Sequence, residues 1–489
     1  MPHQPTMPTL GLSLVPVAAL VVLLAADVIA FGEDSSYGAN QIAMLLAAFI
    51  SGGIGMARGV RWKDISTAIA HSVSQTTEAI LILLMIGALS GTWLIAGIIP
   101  AFIHYGLQIL EPTIFLFAAC IICGLLSLAT GSSWGTVGTV GIALVGIGSA
   151  LGISEGWVAG AIISGAYFGD KMSPLSDTTN IAAAVGGTNL FSHIRYMTLT
   201  TVPSLIIALI FFLVAGYGGA AAANDVSGAF AGEFGAAVLE AFNIHMGLFI
   251  APAVVIVLIA KRVPAAAALL IGTLLGALTA VVFQPNIIRE VADLGGEDKG
   301  FAIAAFKACI QSMASNSAIS TSNAMANDLL TSSGMAGMLN TVWLILCAMV
   351  FGATMQATRM LERITKAILS GVQSTFGLVG RTVGTCLAFN VLASDQYLAI
   401  VIPGNMLKDA YAERNLAPEN LSRTLEDSGT VTSVLIPWNT CGVAQSGILG
   451  VATWAYLPYC IFNWVSPMMT LTVAALGFRI KRLSEAEAD

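Results

Sequence analysis

This sequence has little charge: Asp, Glu, Lys and Arg make up 10% of its 489 residues, against about a quarter in a soluble protein. So little polar surface excludes a water-exposed globule of this size. Basic residues are scarcer than acids, 20 against 27, for a net charge of -7. That excludes a nucleic-acid partner, whose binding needs a basic face. Of the seven cysteines, Cys120 to Cys460, only Cys120 and Cys123 stand in a CxxC spacing, inside an apolar run and with no second such pair to complete a metal site. Most lie inside apolar runs and read as small buried hydrophobes. The five histidines form no HExxH and no catalytic cluster, so no enzyme and no cofactor is expected. A cleavable signal is missing too, because the first apolar run is long enough to span a bilayer by itself.

Apolar sequence fills the space that charge leaves. Hydrophobic residues reach 56% and the mean hydropathy is +0.85. This composition predicts an all-α polytopic membrane protein, in which fifty glycines serve close helix approach. About twelve runs approach the ~20 residues that a crossing needs. Leu10–Phe31 and Ala39–Ala57 come first, with Glu33-Asp34 between them. The basic groups Arg58, Arg61, Lys63, then Lys261-Arg262, then Arg359, Arg363, Lys366, and last Arg479, Lys481, Arg482 mark cytoplasmic ends. Both termini are therefore expected inside. From Gly218 to Asn243 the chain is small and acidic, with Asp225, Glu233 and Glu240 and no Lys or Arg. Residues 218–244 read as an extracytoplasmic linker between a first transmembrane repeat, 1–217, and a second, 245–489. The Ser-, Asn- and Thr-rich stretch Ser312–Ser333 reads either as re-entrant or as a buried polar segment.

Three landmarks support duplication. Leu81-Ile82-Leu83 returns as Leu344-Ile345-Leu346, Gly131 as Ser394, and Pro174 as Pro437, each pair 263 residues apart. The alternation of basic and acidic loops suits halves of opposite topology. Inverted repeats bring broken helices face to face near the midplane.

The polar residues gather at the breaks. Gly169-Asp170-Lys171-Met172-Ser173-Pro174-Leu175-Ser176-Asp177-Thr178-Thr179-Asn180 sets two acids and a base amid apolar helix. Pro174 removes a backbone donor and frees carbonyls. Asp170 and Asp177, seven apart, would share a helix face and read as cation ligands or proton carriers. Alternatively, Asp170 pairs with Lys171 at a loop end. Ser173, Thr178 and Asn180 crowd the same place. Ser132, Ser133 and Thr136 lie in a second break, where Gly131 and Gly135 let the backbone unwind. Asn390 and Asp395, then Asn439 and Thr440, are the second-half counterparts. Glu426-Asp427 reads either as part of the ion site or as an acid-capped helix start. Glu78 is open between a cap and a ligand. Lys171 and Arg381 are possible counter-charges. His71, His104, His193 and His245 read as interfacial, and Trp62, Trp93, Trp454 and Trp464 as belt residues.

The motifs Gly131-Ser-Ser-Trp-Gly-Thr-Val-Gly-Thr139, Gly169-Asp-Lys-Met-Ser-Pro-Leu-Ser-Asp-Thr-Thr-Asn180, Leu425-Glu-Asp-Ser-Gly-Thr430 and Pro437-Trp-Asn-Thr440 resemble those of the NhaC-type sodium/proton antiporters. The resemblance runs from roughly Ala39 to Leu476. It implies two inverted halves with broken helices, a homodimer and elevator-like movement in a prokaryotic cytoplasmic membrane. It also implies exchange of Na+ for H+ at buried acids, with Asp170 and Asp177 holding the Na+. Relatives of that family that exchange malate for lactate, or carry amino acids, keep a second expectation open: a Na+/H+-coupled carrier of a small organic anion or amino acid. The expected partners are thus lipid, Na+, H+ and such a small molecule.

Overall fold

Inside a bilayer every backbone donor and acceptor must be satisfied within the chain, so apolar runs fold as helices. The computed structural model describes residues 7–31, 38–219, 228–293, 300–321, 323, 327, 329–369 and 374–483. Glu33-Asp34, Asp225 and parts of the Ser312–Ser333 stretch lie outside the described residues. The protein is helical almost throughout, as its composition predicts. Among the described residues nine helices are long and apolar enough to cross a membrane, and two bent pairs raise that to eleven. The expected twelve differ at the breaks. The run 431–450 is divided into turns and a short helix, and Glu155–Met172 ends in Asp170-Lys171. One small departure from all-α is a strand pair, Ser317–Ala318 against Thr331–Ser332.

In the first half the helices that matter here are α1 (Leu10–Phe31), α2 (Ala39–Ala57), α3 (Thr77–Ile95), α4 (Pro112–Thr130), α5 (Ser133–Ala150), α6 (Glu155–Met172), α7 (Asp177–Gly186) and α8 (Leu190–Tyr217). In the second half they are α9 (Ala265–Phe283), α10 (Gly334–Ala357), α11 (Thr375–Leu392), α12 (Gln396–Ala412), α13 (Pro418–Leu425), α14 (Thr440–Leu449) and α15 (Ile461–Leu476). Their bounds repeat. Residue 375 lies 263 after 112, residue 440 lies 263 after 177, and 449 follows 186 at the same distance.

Packing sorts them into two bundles. In one, α2 and α3 pack on α10, with α1 on α2 and α9 on α3. In the other, α6 lies along α4, α8 covers α4 and α15, and α7 and α11 each pack on α12 and α13 around a core that includes Ala182, Val379, Ile400 and Leu425. The α4–α6 contact depends on missing side chains: a Cβ on Gly165 would lie 2.0 Å from the Cys120 carbonyl oxygen, and one on Gly169 2.3 Å from that of Gly124. Such close backbones are how helices associate in lipid, where burial from water gives no drive. α5 and α14 lie along the seam, α14 touching α3, α10 and a π-helical turn of α5 at Val137–Gly141.

Candidate ion-binding site

Each break is made by its own sequence. α4 ends because Gly131 turns left-handed, with φ 71°, a conformation that glycine adopts without steric cost. Ser132 is then extended and caps α5, its hydroxyl accepting from the Gly135 N–H at 3.0 Å. Between α6 and α7 the chain passes Pro174, and Ser176 caps α7. Asn180 spans that gap, donating to the carbonyls of Ser176 at 2.6 Å and Pro174 at 3.1 Å. The second half repeats the scheme at the same 263-residue distance. Ser394 is left-handed, with φ 57°, and Asp395 caps α12 by accepting from the Leu398 N–H at 2.9 Å. Asn439 caps α14 by accepting from the Cys441 N–H at 3.0 Å.

The consequence is that α5, α7, α12 and α14 all begin at one place. Their first turns line a single cavity of about 450 Å3 through Ser132, Ser133, Asp177, Thr178, Asp395, Gln396 and Thr440. Gly131, Trp134, Leu175, Tyr397 and Cys441 complete that side, and Asp170 reaches it from the end of α6. Gln75, Thr76, Glu78, Ala79 and Ile82 form the opposite wall, together with Ala265 from α9. The cavity therefore lies between the bundles, with three of its four acids on one of them.

Asp170 is buried. Its Oδ2 accepts from the Ser133 hydroxyl at 2.7 Å and from the Ser133 N–H at 3.1 Å, while Oδ1 is buried with no donor in hydrogen-bond geometry and the Ser176 hydroxyl close by. Asp177 shares the cavity but is exposed, and both its oxygens are engaged: by its neighbour's N–H, Thr178, at 2.9 Å and by the Tyr397 hydroxyl at 2.5 Å. Asp395 is buried at the wall as a helix cap.

Other expected site residues hold the breaks in shape without reaching the cavity wall. Asn390 donates to the Gly429 carbonyl at 2.8 Å and to the Thr432 hydroxyl at 2.9 Å, and Asn439 donates to the Asn390 carbonyl at 3.1 Å. The Ser173 hydroxyl accepts from the Leu175 N–H at 3.2 Å, and Thr136 faces Thr130. Arg381, on α11, is half-buried and away from the wall.

Asp427 and Lys171 are also elsewhere, and they are paired with each other. Both are fully buried; Asp427 further accepts from Thr200 at 2.7 Å, Ser466 at 3.0 Å and Thr470. Lys171 thus does not pair with its neighbour Asp170, and neither member of the pair lines the cavity. Two of the residues read as interfacial are interior instead. Trp93 is buried with its indole N–H on the Gly272 carbonyl at 3.2 Å, and His193 is buried against Ser422 at 2.8 Å. Sequence reasoning passed over Tyr397, although its place just after the Asp395 break was a signal.

Gly131-Ser132-Ser133-Trp134-Gly135 also spells G-x-S-x-G, the letters of a hydrolase nucleophile turn. Ser133, however, is bonded to a carboxylate, and no histidine lines the cavity. The arrangement can instead hold a cation on Asp170 Oδ1 and hydroxyl or carbonyl oxygens, and an anion on the helix N-termini.

Known proteins bear on the choice. A family profile described as "Na+/H+ antiporter family" matches residues 165–478. The chain is 38% identical over 429 residues to the malate-2H(+)/Na(+)-lactate antiporter of Bacillus subtilis, covering 87% of this chain and 86% of that protein. It is 34% identical to the Na(+)/H(+) antiporter NhaC of Alkalihalophilus pseudofirmus, over 90% of this chain and 91% of that one. It is 33% identical to the arginine/ornithine antiporter ArcD of Halobacterium salinarum, over 97% and 93%. These relatives are transporters, and this multi-span membrane chain belongs to the NhaC-type Na+/H+ antiporter family.

Proposed function

We propose that this protein exchanges Na+ for H+ across the cytoplasmic membrane by alternating access, with Asp170 as the carboxylate for which the two ions compete. The observation that carries this reading is Asp170 Oδ1: a buried carboxylate oxygen on the cavity wall with no protein donor in hydrogen-bond geometry. Such an oxygen needs a cation or a proton. Sodium takes it with the oxygens of Ser132 and Ser133 and freed carbonyls at the break; a proton takes it alone. Asp177 and Asp395 add negative charge on the same wall. Because each ion displaces the other, one site suffices for exchange. The two halves work as inverted repeats, both termini lie in the cytoplasm, and the protein assembles as a homodimer. Asp170→Asn tests the assignment: Na+-driven proton movement in everted vesicles is expected to vanish at normal expression. Full exchange in that variant would remove Asp170 from the site.

A second reading is favoured by size and polarity. About 450 Å3 is within the ~300–1,000 Å3 of small-molecule sites, and four helix N-termini face it. A Na+/H+-coupled carrier of a small organic acid or amino acid would place the substrate carboxylate on those N-termini. Proteoliposome flux decides: exchange with Na+ and protons alone supports the first reading, and an absolute need for malate, lactate or an amino acid supports the second.

A further inference from the structure

Glu426 opens the π-helical turn Glu426–Thr430 that continues α13. It is fully buried, and neither carboxylate oxygen meets a donor in hydrogen-bond geometry; the Thr430 hydroxyl at the end of the same turn, itself without a partner, and the Thr178 hydroxyl lie close by. Asp427, one residue on, is by contrast enclosed by a lysine and three hydroxyls. Glu426 has no such cage. A carboxyl enclosed in this way must find either a proton or a facing cation. π-turns inside α-helices recur at functional sites.

The groups around it are few and mostly committed. From α6, the charges of Lys171 and Asp170 both act on it. α7 brings the Thr178 hydroxyl, which lies near and is bonded to Ser176 at 3.1 Å, and Asp177, held by Tyr397. α11 brings the Cys386 thiol, facing Ser428, and α12 brings Tyr411, bonded to Thr382 at 2.9 Å. α15 brings Ser466 and Thr470, both on Asp427. Arg423, a turn earlier, is buried with its guanidinium 4.5 Å from the Tyr196 ring centre and no acceptor on any of its nitrogens. Lys171 therefore answers a charge on Glu426 from its place on Asp427, without leaving that partner.

We propose that Glu426 is a second proton carrier of the exchange cycle, separate from the Asp170 cavity. In one half-cycle its O–H bond breaks, the proton passes to water and the electron pair stays on the carboxylate, facing Lys171. In the other half-cycle the proton returns. This rests on the reading of Asp170 as the Na+ site and adds a proton that site does not bind.

The test uses the purified full-length protein in proteoliposomes. Reversal potentials give the number of protons moved per Na+, and 22Na+ uptake gives Na+/Na+ exchange, which needs no proton. Glu426→Gln, an isostere of the neutral acid, is expected to lose one proton per Na+ and keep Na+/Na+ exchange. Glu426→Asp is expected to keep the proton count and lower the pH of half-maximal exchange by roughly 0.4 unit or more, the intrinsic difference between the two acids. An unchanged proton count in Glu426→Gln overturns the proposal, as does equal loss of both exchange modes in assembled protein. If Glu426→Gln fails to assemble, an unchanged pH profile in Glu426→Asp overturns it instead. Asp170→Asn in the same vesicles keeps the two readings apart: loss of Na+/Na+ exchange belongs to the Na+ site, loss of one proton to Glu426.

Discussion

A buried charge is tolerable only while its partner stays, and Lys171–Asp427 is a case where both partners are fully enclosed. Removing one leaves the other unpaired at membrane depth, which costs about 3–5 kcal/mol. Lys171→Met is therefore expected to lower the melting temperature of the detergent-purified protein sharply. Lys171→Met with Asp427→Leu is expected to recover much of that loss, since matched apolar replacement of an ion pair is often neutral. A double variant no more stable than Lys171→Met would show that the pair is not what Lys171 supports. Asp170 differs in its surroundings. Asp427 has all the donors it needs, whereas Asp170 has an oxygen to spare on the cavity.

The breaks between elements are what bring those oxygens together, and Gly131 is the tightest of them. Its φ is 71°, and an added Cβ would lie 2.6 Å from the Leu175 Cβ and 2.8 Å from the Ser176 nitrogen. Gly131→Ala would strain one break and push the other apart, so exchange should fall while α4 and α6, which carry most of the local packing, still assemble. A measured exchange rate equal to the unsubstituted protein would show that the two breaks need not touch. This much of the fold was legible from sequence. Leu10–Phe31, Ala39–Ala57 and Ala265–Phe283 fold with the bounds or near-bounds that their uninterrupted apolar runs suggest, and Gly131, Pro174 and Pro437 mark the interruptions. Lys171 and Asp427 were not legible as a pair, because they stand 256 residues apart and only packing of α6 on the α13 end joins them. Trp93 misled for the same reason: its run looks lipid-facing until α9 is packed against it.

At the scale of the whole molecule, alternating access needs the cavity to open first to one side and then to the other. The cavity-lining acids Asp170, Asp177 and Asp395 belong to one bundle, while α3 and α9 contribute the far wall. Sliding of one bundle past the other would carry the ligand set with it, and the seam where α14 meets α10 would have to shear. That seam is close: a Cβ on Gly447 would lie 3.2 Å from the Thr341 Cβ, near the roughly 3.5–4.5 Å that a disulfide spans. The native cysteines are all free, so they can be replaced to give a clean background. In it, Thr341→Cys with Gly447→Cys is expected to cross-link under mild oxidation and to stop exchange, with recovery on reduction. Each single variant should be indifferent to oxidant. Exchange that continues at full rate with the cross-link formed would mean that α10 and α14 travel together, and that the moving boundary runs elsewhere.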